Sequence, residues 1–220
     1  MKVTVVIPVL NEGGRLPAVI DDVQRYVQDI IIVDDGSNTQ NVALIMQLKD
    51  RATVLRHRIN LGKGASMRTG AEAAMARGAE IIVFMDGDGQ HKASDLPKIL
   101  NKLEHEDLDI VFGSRTIGKD MPFVMMFGNK FLSLCSSFLF GLYVSDTQSG
   151  FRAFRTRAYH ALLWESSRYA VETEMIANAA KKKLRTGEVQ VQTIYHDDYK
   201  GTTVIDGLRI FTSMLRWKFL

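Results

Sequence analysis

The sequence predicts an α/β domain with a mostly parallel central sheet covered by helices on both faces. Short, continuously apolar runs rich in Val and Ile, helix-periodic segments between them, and acidic or glycine-bearing turns after the runs carry that prediction. A strand buried on both faces reads as an unbroken apolar run, and parallel neighbours need a crossover, usually a helix.

Val3 to Val9 reads as the first strand, after which Leu16, Val19, Ile20, Val23 and Val27 recur at helical spacing. Ile30 to Val33 is the next strand, Val42 to Lys49 a helix, Thr53 to Arg56 a strand, Ala65 to Arg77 an alanine-rich helix and Ile81 to Met85 a strand. Asp95 to Glu104 reads as a helix with Asp95 near its start, and Asp109 to Phe112 as a short strand. After Gly113 the texture changes. A long apolar helix within Met121 to Val144 precedes a strand at Gly150 to Phe154, helices at Thr156 to Trp164 and Val171 to Lys183, a strand at Val189 to Ile194 and a closing helix from Ile205. The 220 residues make one domain, 1–220, with halves 1–115 and 116–220.

A net charge of +3, with Lys and Arg spread along the chain, does not suit a nucleic-acid partner. The single cysteine, Cys135, cannot form an internal disulfide and lies in an apolar segment, which fits core packing and a reducing setting. The run Val3 to Leu10 contains Pro8 and leads straight into Asn11-Glu12, unlike a targeting signal.

Chemistry concentrates at two strand ends. Asp86-Gly87-Asp88-Gly89 closes the run at Ile81 to Met85, and Asp34-Asp35-Gly36-Ser37 closes the run at Ile30 to Val33. Parallel strands deliver both acidic pairs to one edge of the sheet, where open α/β folds bind ligands. Hard oxygen ligands there suit a divalent cation with a nucleotide. Residues 1–115 therefore read as the nucleotide-binding half and 116–220 as the acceptor-binding half.

Six segments occur in a telling order: Ile7-Pro8-Val9-Leu10-Asn11-Glu12, Val33 to Ser37, Asn60-Leu61-Gly62-Lys63-Gly64-Ala65, Asp86 to His91, Gly113-Ser114-Arg115 and Asp146 to Arg152. Together they resemble inverting family-2 glycosyltransferases of the GT-A fold, and most of all polyprenyl-phosphate hexose synthases of the dolichol-phosphate mannose synthase kind. The likeness runs from about Val3 to Phe154 and more loosely beyond.

That resemblance implies a hexosyltransferase using a nucleotide sugar of the UDP-glucose or GDP-mannose type, Mg²⁺ or Mn²⁺, and a polyprenyl phosphate acceptor. It implies that Asp86, Asp88 and Gln90 hold the metal and adjoining diphosphate, and that Pro8, Asn11, Glu12 and Asp35 line the nucleoside pocket. Lys63, at a helix start, would meet the diphosphate. A phosphate monoester is already a nucleophilic dianion near neutral pH, so such an acceptor calls for arginines more than for a base. Arg115 and Arg152, with Ser149, are the expected acceptor-binding residues. Asp146 and Glu172, with Glu174 as a third, are the expected catalytic carboxylates beside Asp88.

Family members often carry a basic residue just before the Gly128-Asn129 pair, where Val124, Met125 and Met126 stand here; Lys130 or Lys200 would substitute. Many relatives continue into transmembrane helices, whereas this sequence stops at Leu220. Asn129-Lys130 within the long apolar segment argues against spanning. The segment instead suits a helix with one apolar face on the core and another on a membrane surface or a greasy ligand. A last helix with Ile205, Leu208, Phe211, Leu215 and Phe219 among Arg209, Arg216, Trp217 and Lys218 suits either a membrane surface on the cytoplasmic side or ordinary core packing. A saccharide-hydroxyl acceptor or a non-catalytic nucleotide-sugar binder is the alternative. No G-x-G-x-x-G follows the first strand, against a dinucleotide-dependent oxidoreductase.

Overall fold

The computed structural model describes residues 1–115, 123–168, 170–194 and 204–219, with the side chains of 123–125 and 204 outside that description. β1 (Val3–Val9), α1 (Leu16–Gln24), β2 (Asp29–Asp34), α2 (Thr39–Met46), β3 (Thr53–Arg56), α3 (Lys63–Ala76) and β4 (Ile81–Phe84) form the first half. α4 (Leu96–His105), β5 (Ile110–Arg115), α5 (Phe123–Phe140), β6 (Arg152–Arg155), α6 (Tyr159–Leu162), α7 (Val171–Lys181), β7 (Thr186–Val191) and α8 (Val204–Phe219) complete it. The seven strands lie in the order β3-β2-β1-β4-β6-β5-β7. β6 runs antiparallel to both β4 and β5, and the other pairings are parallel.

This order fixes where a ligand can sit. The chain leaves β1 toward β2 and β3, then returns through α3 to place β4 on the other side of β1. The crevice beyond the C-terminal end of β1 is the topological switch point. Apolar side chains of alternate parity fill the two faces: Val5, Ile7, Ile30, Ile32 and Val83 pack beneath α1 and α4, whereas Val6, Ile31, Val33, Ile82 and Phe84 pack beneath α3 and α7. Gly70 of α3 admits Val6, because a Cβ there would overlap that side chain.

Two expected elements differ. The helix expected at Thr156 to Trp164 is a 3₁₀ turn, Thr156–Ala158, followed by one α-turn in α6. The chain leaves helical geometry at Leu163, and the fully buried Trp164 donates its indole N–H to the carbonyl of Gly64 at 2.8 Å. A tertiary hydrogen bond thus outweighs local propensity. β7 starts at Thr186, three residues before Val189, because Thr186 to Val191 pairs with Ile110 to Arg115. Asp95 stands at the start of its helix as expected, where it is buried, pairs with Lys98 and accepts the backbone N–H of Gln192 at 2.7 Å.

α5 ends at Gly141, whose φ of +75° suits a left-handed helix stop. It packs on α8 through buried Leu132, Leu139, Ile210 and Met214, with the rings of Phe131 and Phe211 5.5 Å apart. Its other face is bare: Phe127 is 72% and Phe138 90% exposed. Among the described residues, no helix is long and apolar enough to cross a membrane.

Candidate functional site

A cavity of about 520 Å³ opens over the C-terminal ends of β1, β2 and β4, and α3 and the second half close it. Pro8, Asn11, Glu12, Asp35, Lys63, Asp86, Asp88, Gln90, Arg115, Ser149 and Glu172 all line it. The site residues expected from both halves therefore meet, except Asp146, Arg152 and Glu174, which do not line the cavity, and Lys200, which is outside the described residues.

At the β1–β2 end, loop chemistry explains the residue types. Asn11 adopts φ +59°, a left-handed conformation that Asn tolerates, and accepts the Asn38 N–H at 2.9 Å while donating its own N–H to Ser37. Asp35 accepts the N–H groups of Leu61 and Gly62 at 2.9 and 2.7 Å and pairs with His57 Nδ1 at 2.8 Å. Its carboxylate thus fastens the strand that follows β2 to the approach of α3.

Lys63, the first residue of α3, points its Nζ between Asp86 Oδ1 at 2.6 Å and Glu172 Oε1 at 2.7 Å. Burial would lower the Lys63 pKa, but the two carboxylates outweigh it and hold the ammonium charged. Burial likewise works to raise Asp86, yet Lys63 and His91 hold that carboxyl far below the usual range. Asp88 moves the other way, raised by burial and by the charge of Asp86. Gly62 and Gly64 flank Lys63 where the backbone of another segment comes close. A Cβ at either would overlap the carbonyls of Ser167 and Ser166, and the Gly64 N–H donates to Ser167 at 2.8 Å. The segment before α7 is thereby seated on the start of α3, with Glu174 accepting the N–H groups of Glu165 and Ser166.

The second half uses its charges differently. Arg115 bonds Asp146 through Nε at 2.5 Å and Nη2 at 3.0 Å. Asp146 also accepts from Asn129 Nδ2 at 3.0 Å and from the Gln148 N–H at 3.1 Å. Burial would raise Asp146, but Arg115 holds it low. Arg152, expected at the acceptor, is instead 1% exposed. Its guanidinium donates to the carbonyls of Ser149, Thr147 and Glu172 and lies 5.1 Å from the centre of the Phe112 ring. Burial lowers its pKa to about 10. These backbone bonds tie the 147–149 loop to α7, so Arg152 supports the cavity wall rather than facing into it.

Sequence reasoning missed Arg168, an exposed residue on the wall whose guanidinium has no partner among the described residues. Its only signal was the stretch Ser166-Ser167-Arg168, which has no pattern of its own. It also missed His91, which packs on Phe151 at 5.3 Å and reaches Asp86 Oδ2 at 3.3 Å.

Among the described residues, no three His, Cys, Asp or Glu side chains converge as a closed metal cage. Asp86 and Asp88 on one wall still fit a cation that takes one or two carboxylates from the protein and the rest from phosphates and water. Burial, and then the charge of Asp86, raise the proton affinity of Asp88, and a cation between the two carboxylates would offset that repulsion.

Residues 4–163 match the family Glycosyl transferase family 2. The chain belongs to that family. This glycosyltransferase is 33% identical to UDP-N-acetylglucosamine--dolichyl-phosphate N-acetylglucosaminyltransferase of Methanococcus voltae, across 97% of this chain and 94% of that one. It is 29% identical to undecaprenyl-phosphate mannosyltransferase of Micrococcus luteus, across 87% and 83%. Its fold resembles glucosyl-3-phosphoglycerate synthase from Mycobacterium tuberculosis, solved with Mn²⁺, UDP and phosphoglyceric acid, at a TM-score of 0.76, 18% identity and coverage of 100% and 79%. The expected GT-A fold and glycosyltransferase activity are both borne out.

Proposed function

We propose that this enzyme transfers a hexose or related sugar from a nucleotide diphosphate to a polyprenyl phosphate, with inversion and with Mg²⁺ or Mn²⁺, at a membrane surface. The observation that carries the acceptor is the state of the carboxylates. Asp146 is locked to Arg115, Glu172 is paired with Lys63, and Glu174 is spent on two backbone N–H groups. A hydroxyl acceptor needs a carboxylate free to act as a base, and these three expected ones are engaged, whereas a phosphate dianion needs none. The named relatives that act on dolichyl or undecaprenyl phosphate support the same reading.

In this reading Asp35, Asn11, Glu12 and Pro8 seat the nucleoside. Asp88 and Asp86 hold the cation, which supplies Lewis-acid stabilisation to the departing diphosphate. A phosphate oxygen of the acceptor bonds the anomeric carbon as the carbon–oxygen bond to the β-phosphate breaks on the opposite face, so configuration inverts and the negative charge leaves with the diphosphate. Lys63 meets that charge. Arg115 and Arg168 orient the acceptor phosphate, and Asp146 holds Arg115 in place. The bare faces of α5 and α8, edged by Lys130, Arg209, Arg216 and Lys218, rest on the lipid surface that carries the acceptor.

The test is transfer of radiolabelled sugar from UDP- and GDP-sugars to a short polyprenyl phosphate, in parallel with the matching polyprenol and free sugars. Transfer to the phosphate alone is expected. Transfer to a free sugar but never to the phosphate refutes the acceptor.

A further inference from the structure

The position of Lys63 raises a question that its expected role leaves open: its ammonium lies against Asp86, one of the two carboxylates suited to a divalent cation. The geometry pairs Asp86 Oδ1 with Lys63 at 2.6 Å and Asp86 Oδ2 with His91 at 3.3 Å, so both oxygens already face a donor. A second cation can approach Asp86 closely only against the charge of Lys63. Glu172 gives the lysine somewhere to stay. Its Oε1 lies 2.7 Å from Nζ, and its Oε2 is buried with no hydrogen-bond partner, so the ammonium is the cation in direct contact with this carboxylate, with the charge of Arg152 adding from further off.

We propose that Lys63 is an internal counter-ion that keeps the place of the divalent cation in the free protein, and that the donor diphosphate draws it off Asp86 while Glu172 retains it. This rests on the metal and nucleotide-sugar reading above. A diphosphate arriving with the cation gives the ammonium new oxygen partners as it leaves Asp86, whereas the cation alone must displace the ammonium from Asp86 Oδ1 with nothing to replace that contact. Cation and nucleotide then bind as one unit, and Lys63 sets the coupling between them. The flexible four-carbon stem of lysine suits the exchange, and the seat of Gly62 and Gly64 on Ser166 and Ser167 keeps its backbone fixed.

Titrating the protein with Mn²⁺ and reading free Mn²⁺ by electron paramagnetic resonance tests this without turnover. UDP, with GDP in parallel, should tighten Mn²⁺ binding to the unmodified protein by about tenfold or more, within the usual range of coupling between sites. Lys63→Met should bind Mn²⁺ about tenfold more tightly than the unmodified protein when no nucleotide is present, and gain less from nucleotide. Lys63→Arg keeps the charge and should stay weak. Lys63→Gln, which can still hydrogen-bond both carboxylates, serves if the Met variant does not fold. Unchanged nucleotide-free affinity in the neutral variants, beside normal UDP- or GDP-supported binding, overturns this inference alone. No Mn²⁺ binding by any variant, with or without nucleotide, overturns the metal reading and this inference with it.

Discussion

The two halves of the site treat charge in opposite ways. In the first half, Asp86 and Asp88 follow the end of a buried strand and face the cavity, where burial and the charge of Asp86 raise the Asp88 carboxyl while Lys63 and His91 hold Asp86 low. In the second half, Asp146 and Arg152 have their charged groups turned into the protein and matched by Arg115 or by backbone carbonyls. Charge left unmatched is available to a ligand, and charge matched internally shapes the wall that the ligand meets.

The strongest break in this contrast is Asp88→Asn. If Asp88 holds the cation, transfer should fall by about 10³ or more, since loss of Lewis-acid stabilisation removes several kcal/mol. Stability should move the other way. The folded pKa of Asp88 is raised, so the folded chain holds that proton more tightly than the unfolded one, and stability declines as pH rises from the unfolded value near ~3.9 through the folded one. At pH 7 the charged carboxylate therefore costs stability, and the Asn variant should melt at a higher temperature. Calorimetry at pH 7 and pH 4 checks this: the gain should shrink at the lower pH.

Asp146→Asn should do the reverse. Removing one partner of a buried ion pair costs about 3–5 kcal/mol, because Arg115 is left uncompensated. The folded pKa of Asp146 is lowered, so its contribution is present above the unfolded value near ~3.9 and is lost as pH falls through the folded value. Urea melts at pH 7 should show the loss, and it should narrow under acid. An Asp146→Asn variant as stable as the parent at pH 7 would dissolve the distinction between the halves.

This contrast also marks what the sequence made legible. Residue type and position at a strand end are enough to place Asp86, Asp88 and Asp35, because a parallel strand has one C-terminal edge and the switch point lies above it. Nothing comparable fixes the partner of an arginine. Arg115 and Arg152 each stand beside a serine and a glycine in the sequence, yet Arg115 reaches the cavity wall and Arg152 is buried on Phe112. Their neighbours in space come from Asp146, 31 residues away, and from the backbone of α7, 20 residues away. Gly62 and Gly64 show the same blindness: nothing in their sequence context points to Ser166 and Ser167, which they seat. Helix periodicity placed α5 and α8 but not which of their apolar faces would pack, since that depends on how the pair meets.

Arg168→Ala sharpens the comparison from the acceptor side. If this exposed guanidinium meets the acceptor phosphate, its loss should raise the acceptor KM by about tenfold, the value of one charge-assisted hydrogen bond at an open site, with donor KM and melting temperature unchanged. Steady-state kinetics with the two substrates varied separately decides it. A rise in donor KM instead would assign Arg168 to the diphosphate.

The smallest expected effect belongs to the bare helix face. Phe138 is 90% exposed on α5, so Phe138→Ser removes apolar surface without opening the buried cluster of Leu132, Leu139, Ile210 and Met214. Partial immersion of one phenyl ring in the headgroup boundary is worth about 1 kcal/mol at ~25 cal/mol per Å², so binding to anionic vesicles should weaken by about fivefold. High salt should weaken it further, because Lys130, Arg209, Arg216 and Lys218 attract the same surface. Transfer to a short, water-soluble polyprenyl phosphate should be unaffected, since the cavity is untouched. Flotation of the variant beside its parent gives the first quantity and the soluble assay the second. Equal flotation of parent and variant, with both absent from the vesicle fraction at low salt, would mean that this face meets something other than lipid.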